Sequence, residues 1–361
     1  MRFLDITVSL AFKYLATVFI SLERYLKVTL CSCVMSLSFI LPVVLSFLIV
    51  LFITPWLIRY LRRIELCVKD QNKENTPLVP ISGGLAVFVG IFIGLMFFIF
   101  VQTFFHSEDG VLLPVFAALV SILLITLVGF MDDAIIEKSQ NQSGGLKQWQ
   151  KPLFTLSAAI PLIVINSGVS VMAVPFIGKI DFGLFYPLLL IPLGVVGAAN
   201  MVNLLGGFNG LEAGMGVVYM GMLGIYAYVN QRPVVALLAF LTVAALLAFL
   251  VYNKYPAKIL PGDSLTYLLG GALVIVAILG NIEKAALIVS IPFFIEFFLK
   301  MKKKFKVDSF GYYKDGKIHS KYQEIYSIPH LFTRSGKYTE KQIVIFMVLI
   351  ELFFSSLIWV I

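Results

Sequence analysis

The chain has 361 residues, of which 60% are hydrophobic and only 13% are charged. A soluble domain carries about 25% charged residues, so composition excludes two or three water-soluble domains. In so apolar a chain the net charge of +8 reads first as an orientation signal in a membrane, and no nucleic-acid partner is expected.

A membrane-spanning helix needs about 20 apolar residues. The apolar runs predict an all-α, polytopic helical bundle of about ten spans: 34–57, 82–105, 112–131, 152–167, 184–200, 213–230, 234–252, 264–280, 284–300 and 341–361. Charges or Gly, Pro and Asn clusters bound each run. Residues 1–33 stand apart as a basic stretch in which Lys13 interrupts the apolar run. That argues against a clean signal peptide. A basic interfacial helix, an extra span, and a dispensable leader with Met35 as the start all stay open. The three cysteines, Cys31, Cys33 and Cys67, make neither a disulfide framework nor a metal pair.

Of the 28 Lys and Arg residues, 20 fall in the loops that follow odd-numbered spans; the even loops hold only Lys179, Arg232 and Lys284. The positive-inside rule therefore puts the odd loops in the cytoplasm. Those same loops carry the unusual polar clusters, so a cytoplasmic active site is expected.

In chain order, the first cluster is the loop Lys69 to Gly84, where Lys73 is a candidate phosphate contact and a solvated loop is the plain alternative. The second is Asp132-Asp133, at the end of span three. Two acids beside an apolar run are costly, and carboxylates suit Mg²⁺, which shares its shell with substrate phosphates. Lys147 and Lys151 add cations nearby. The third runs from Asn200 to Glu212 and includes Asn203, Asn209 and three glycines. Asn200 and Asn203 share a helix face, and the glycines allow close backbone approach to a ligand. The fourth is Pro256-Ala-Lys-Ile-Leu-Pro-Gly-Asp-Ser264 at the entry to span eight. Asp263 and Ser264 read either as plain N-caps or as a phosphate and metal site at a helix N-terminus. The last is the loop 300–340, whose Lys302-Lys-Lys304 run suits anionic lipid and whose His330 can donate to a phosphate. Together these residues suit an Mg²⁺-dependent reaction, with Mn²⁺ as a substitute, between a soluble phosphate donor and a lipid acceptor.

The order Gly129-Phe-Met-Asp-Asp133, then Asn200, Asn203 and Asn209-Gly-Leu211, then Gly262-Asp263 resembles the polyprenyl-phosphate N-acetylhexosamine-1-phosphate transferases, glycosyltransferase family 4. The resemblance covers roughly residues 35–361. Gly207-Phe-Asn-Gly-Leu-Glu-Ala-Gly214 resembles the eukaryotic form, and Ser309-Phe-Gly311 with Tyr326-Ser327 looks archaeal. Gly206 stands where bacterial members usually have Asp. Ser327-Ile-Pro-His330 resembles a eukaryotic Arg-Ile-Pro-Arg stretch, with Ser and His replacing the arginines.

The resemblance implies transfer of GlcNAc-1-phosphate from UDP-GlcNAc to dolichyl phosphate, giving GlcNAc-diphosphodolichol and UMP, in the cell membrane; the family includes homodimers, and the sequence leaves the oligomeric state open. It implies that Asn203 and Asp263 hold Mg²⁺, that Asn209 lies near the uracil, and that Lys151, Asp132 and Asp133 lie near the lipid phosphate. The same chemistry with another UDP-N-acetylhexosamine or with undecaprenyl phosphate is the nearest alternative. A transporter, with Glu296 and Glu351 lining a path, is the rival of another class. The sequence shows no inverted repeat to support it.

Overall fold

The computed structural model describes residues 37–105, 110–139, 145–166 and 168–360. The expectations for 1–33 and for Met35 lie outside these. Chain contacts divide the protein into residues 1–41 and 42–361. Of the first unit only 37–41 are described, as the opening of α1 (Leu37–Arg63).

Within the second unit the order is a short hairpin (β1 Cys67–Lys69, β2 Leu78–Pro80), α2 (Gly84–Phe105) and α3 (Leu112–Ser139). A broken stretch follows: α4 (Gln150–Thr155), a 3-10 turn (Leu156–Ala159) and α5 (Ile160–Ile165). Then come a second hairpin (β3 Val171–Val174, β4 Gly178–Asp181), a π-turn (Tyr186–Leu190), α6 (Ile191–Leu204), α7 (Leu211–Val229), α8 (Pro233–Asn253) and α9 (Gly262–Gly280). The chain ends with α10 (Glu283–Val289), α11 (Ile291–Met301), a third hairpin (β5 Tyr312–Lys314, β6 Lys317–His319), α12 (His330–Thr333) and α13 (Glu340–Ser356), closed by a 3-10 turn. All three hairpins are antiparallel pairs.

Among the described residues, seven helices are long and apolar enough to cross a membrane: Phe39–Arg63, Gly84–Phe105, Leu112–Ile135, Tyr186–Leu204, Pro233–Asn253, Gly262–Gly280 and Glu340–Trp359. The other three predicted spans appear in altered form. Residues 152–167 fall on the broken α4–α5 stretch, and 284–300 is divided at Ser290, ahead of Pro292. Residues 213–230 form the single helix α7, whose glycines and tyrosines dilute its apolarity. Breaks inside a bilayer are tolerated where neighbouring helices or cavity walls satisfy the freed backbone groups.

At the centre lies α9, with 83% of its span inside the protein. It packs against α3 and α6. The approach is close because glycines stand at the crossings. A Cβ on Gly129 of α3 would lie 2.3 Å from the Asp263 carbonyl oxygen, and one on Gly84 of α2 would lie 2.3 Å from the Ser264 carbonyl carbon. Backbones brought this near bury polar groups, so side chains must satisfy them. That requirement builds the site described next.

Candidate active site

The first turn of α9 needs acceptors for its free N–H groups. They come from another helix. Asp133 of α3 accepts the Asp263 N–H at 2.7 Å, the Ser264 N–H at 3.2 Å and the Ser82 hydroxyl at 2.8 Å. Asp133 is fully buried, and a buried carboxylate with three donors is satisfied rather than stranded. Asp263 and Ser264 are therefore not the N-caps of their own helix; Asp133 caps it across 130 positions of sequence. Gly262, at φ +71°, permits this, since its missing Cβ would meet an Asp133 oxygen at 2.3 Å. Moreover, α3 continues to Ser139, so the acid pair sits inside the helix and not at its end.

Asp132, one residue earlier, faces a different neighbour. It accepts the Leu146 N–H at 2.6 Å and the Tyr267 hydroxyl at 3.3 Å, and it pairs with Lys151 at 2.6 Å. Lys151 also pairs with Asp263 at 3.0 Å. Burial works against the charge on Lys151, but Asp263 and Asp132 outweigh it and hold the ammonium above the ordinary lysine range. The two acids of α3 are wholly buried, whereas the Asp263 side chain keeps 18% of its surface exposed and Lys151 keeps 26%. The reachable charges are therefore Asp263 and Lys151. Asn203 stands near enough to Asp263 to interact with it, yet its buried amide nitrogen has no hydrogen-bond partner.

Lys151, Asn200 and Asn203 line the polar end of a groove of about 1030 Å³. Its walls are mainly Leu, Val, Ile and Phe from α6, α9, α10 and α11, and Tyr186 and Glu283 lie in the lining as well. From Tyr186 to Asn203 the chain is helical for 18 residues, about 25 Å of rise. Asn200 and Asn203 do share the groove face, as their spacing predicts, and the Asn200 amide donates to Val196 O at 2.8 Å.

The remaining predicted residues lie in two other networks. Asn209 donates its side-chain amide to Asp70 at 3.1 Å and its backbone N–H to Glu340 at 2.7 Å, while its carbonyl accepts Ala257 N–H at 3.0 Å. Lys73 pairs with Glu340 and, at 3.3 Å, with Asp70, and its ammonium lies 4.4 Å from the Tyr255 ring centre. Glu212 accepts the Gly207 N–H at 2.9 Å and closes its own loop. These bonds tie the first hairpin loop, the 205–212 turn, the 254–258 loop and the start of α13 together.

His330 belongs to the third network. Its ring is fully buried, with Nδ1 accepting the Tyr326 N–H at 3.2 Å and Nε2 3.0 Å from Asp308 O. Burial holds its pKa below the ordinary histidine value. Both nitrogens are taken, so this histidine has no free donor for a phosphate. Glu296, a transporter-path candidate, accepts from Ser327 at 2.7 Å and from Ile328 N–H at 2.8 Å. Sequence reasoning missed Ser82 and Tyr267. Ser82 had a signal, standing beside the Gly83-Gly84 pair, while Tyr267 lies in an apolar run and had none.

A family model, "Glycosyl transferase family 4", matches residues 115–281, the stretch that holds both acids of α3, the amides of α6 and the start of α9. The chain is also 33% identical, over 88% of its length and 95% of the relative, to a protein of Saccharolobus solfataricus named "Putative UDP-N-acetylglucosamine--dolichyl-phosphate N-acetylglucosaminephosphotransferase". This chain belongs to glycosyl transferase family 4. A family member of the same name from Sulfolobus acidocaldarius is 31% identical over 89% of this chain and 95% of that one. A "Phospho-N-acetylmuramoyl-pentapeptide-transferase" of Halalkalibacterium halodurans is 34% identical over 71% of this chain and 79% of its own. With these relatives and seven span-length helices, the protein is a multi-pass membrane transferase.

Proposed function

We propose that the protein transfers N-acetylglucosamine-1-phosphate from UDP-GlcNAc to dolichyl phosphate, releasing UMP. The observation that carries this reading is the groove: about 1030 Å³, apolar along its walls, with Lys151, Asn200 and Asn203 at one end. A polyprenyl tail needs apolar walls, and its phosphate needs a cation where they stop. The names of the two archaeal relatives, matched over nearly their whole length, favour dolichyl phosphate and UDP-GlcNAc within that class.

In the reaction an oxygen of the lipid phosphate forms a bond to the β-phosphorus of the donor. The bond from that phosphorus to the bridging oxygen breaks, and UMP leaves with the electron pair. A phosphate monoester has its second pKa near 6, so the nucleophile is largely a dianion at neutral pH. No side chain has to take its proton. Lys151 orients the acceptor phosphate and offsets its charge. Asp132 aims Lys151, and Asp133 fixes the first turn of α9, so that Asp263 stands 3.0 Å from Lys151, which lines the groove. Catalysis is then mostly positioning and charge neutralisation.

Mg²⁺ fits this end. Among the described residues no three His, Cys, Asp or Glu side chains form a metal cage, but Mg²⁺ usually takes one or two carboxylates and completes its shell with phosphates and water. The partly exposed Asp263 carboxylate and the side-chain oxygen of Asn203 would supply such a pair, leaving the unpartnered Asn203 amide nitrogen to donate to a phosphate oxygen. When bound, the ion neutralises the donor pyrophosphate and the leaving UMP. The crowding of 20 of the 28 basic residues in the odd loops supports a cytoplasmic site in the cell membrane.

The test is purified protein with dolichyl phosphate, Mg²⁺ and a panel of UDP-sugars, read as UMP release. UDP-GlcNAc should be preferred. Equal turnover of every UDP-sugar would remove the donor assignment, and no release with any would remove the transferase reading.

A further inference from the structure

The second hairpin is finished unlike a hairpin exposed to water. Turns in water favour Gly, Pro, Asn, Asp and Ser, and seldom place two large apolar residues at the tip. Here β3 and β4 pair from Val171–Asp181 to Val174–Gly178, and the turn between them is Pro175-Phe-Ile177. Phe176 is 85% exposed and Ile177 is 72% exposed. Phe176 also adopts φ +65°, a left-handed conformation that bulky residues avoid. A strained backbone that lifts a phenyl ring away from the protein needs an apolar environment to receive it.

The surroundings point the same way. Leu184, Phe185, Leu188 and Leu189, which follow the hairpin, are all exposed. They lead directly into the span Tyr186–Leu204, so the tip continues a surface that already meets lipid. The charged residues Lys179 and Asp181 lie two and four positions beyond Ile177, both exposed. That places charge behind an apolar tip, the pattern of a segment seated at the boundary between headgroups and acyl chains.

We propose that the 171–181 hairpin inserts its Phe176–Ile177 tip into the lipid headgroup–acyl boundary of the leaflet opposite Asn203, as an interfacial anchor beside the far end of the groove. Insertion is shallow. A two-stranded ribbon has unpaired backbone groups on both edges, and the hydrocarbon core does not tolerate those. The anchor has a use: Met172 of β3 lines the groove, so fixing the tip fixes the height of that wall in the bilayer. The proposal rests on the membrane setting alone and not on the transferase reading.

Nitroxide labels on Phe176→Cys, Ile177→Cys and Asp181→Cys test it, in full-length chain with Cys31, Cys33 and Cys67 replaced by Ser, reconstituted in phosphatidylcholine vesicles. Labels at 176 and 177 should favour oxygen over an aqueous nickel chelate at least threefold more than the label at 181. Equal access of the chelate to all three sites would overturn the proposal. So would dipolar broadening between labels, which would assign the tip to a contact between copies. If the cysteine-free chain fails to fold, Phe176→Trp in the native sequence replaces it. Its added emission should be quenched by lipids brominated near the headgroup, and unquenched emission would overturn the anchor.

Discussion

The cluster around Asp263 and the network around Asn209 use the same materials: carboxylates, an amide and a lysine. They are finished differently. In the Asn209 network each polar atom of the asparagine side chain has a partner, and Lys73 is shared between Asp70 and Glu340. In the Asp263 cluster the buried acids Asp132 and Asp133 are saturated, but Asp263 and Lys151 stay partly exposed and Asn203 keeps an unpartnered amide nitrogen at the groove. The neighbouring Glu212 and Asn72 also keep one unpartnered oxygen each, so the contrast lies in where the unused capacity stands: of the two clusters, only the one around Asp263 has it adjoining the large groove.

Substitutions can break that contrast. Asp263→Asn should lower UMP release by a factor of about 10² to 10³, the usual effect of removing one electrostatic group that serves the transition state. Its thermal midpoint should change little, because Lys151 keeps Asp132. A large drop in stability with activity per folded molecule intact would make Asp263 a scaffold residue too. Gly197 lines the groove, and a Cβ there would have no neighbour nearer than 3.8 Å. Gly197→Leu should therefore fold and raise KM for the lipid acceptor about tenfold, roughly 1.4 kcal/mol, with KM for UDP-GlcNAc unchanged. The same rise for both substrates would show that the groove is not the acceptor site.

Asn209→Ala should do the opposite of Asp263→Asn. It takes one donor from Asp70, which keeps Lys73, and strands the Ala257 N–H, at a cost of about 1–3 kcal/mol, while kcat per folded molecule stays within severalfold. A selective rise in KM for the UDP-sugar without loss of stability would favour the uracil role that the family resemblance implies. His330 gives the smallest effect and a distinct sign. Its folded pKa lies below the unfolded value, so the folded state binds fewer protons and stability falls as pH drops below about 6.5. Against the wild type, His330→Phe should show a shallower fall in melting temperature between pH 7.5 and 5.5.

Much of the proposed site was legible in the sequence because expensive residues stand out. Asp132, Asp133 and Asp263 border apolar runs, and Asn200 and Asn203 share a face that does line the groove. What the chain could not display was the direction of each side chain. Asp133 turned out to cap α9, a pairing set by the close crossing at Gly129 and Gly84 and not by local pattern. His330 looked available because its loop is polar, whereas its ring packs inward against Asp308 and Tyr326. The groove itself is tertiary, made where α6, α9, α10 and α11 leave space. The three hairpins are too short for alternation to reveal them.

The most direct test is transfer of radiolabelled GlcNAc-1-phosphate from UDP-GlcNAc to dolichyl phosphate in one reconstituted preparation, comparing the wild type, Asp263→Asn and Asn209→Ala at equal folded protein. The account predicts labelled lipid from the wild type and Asn209→Ala at rates within severalfold, and almost none from Asp263→Asn. Labelled lipid from Asp263→Asn at the wild-type rate would contradict it.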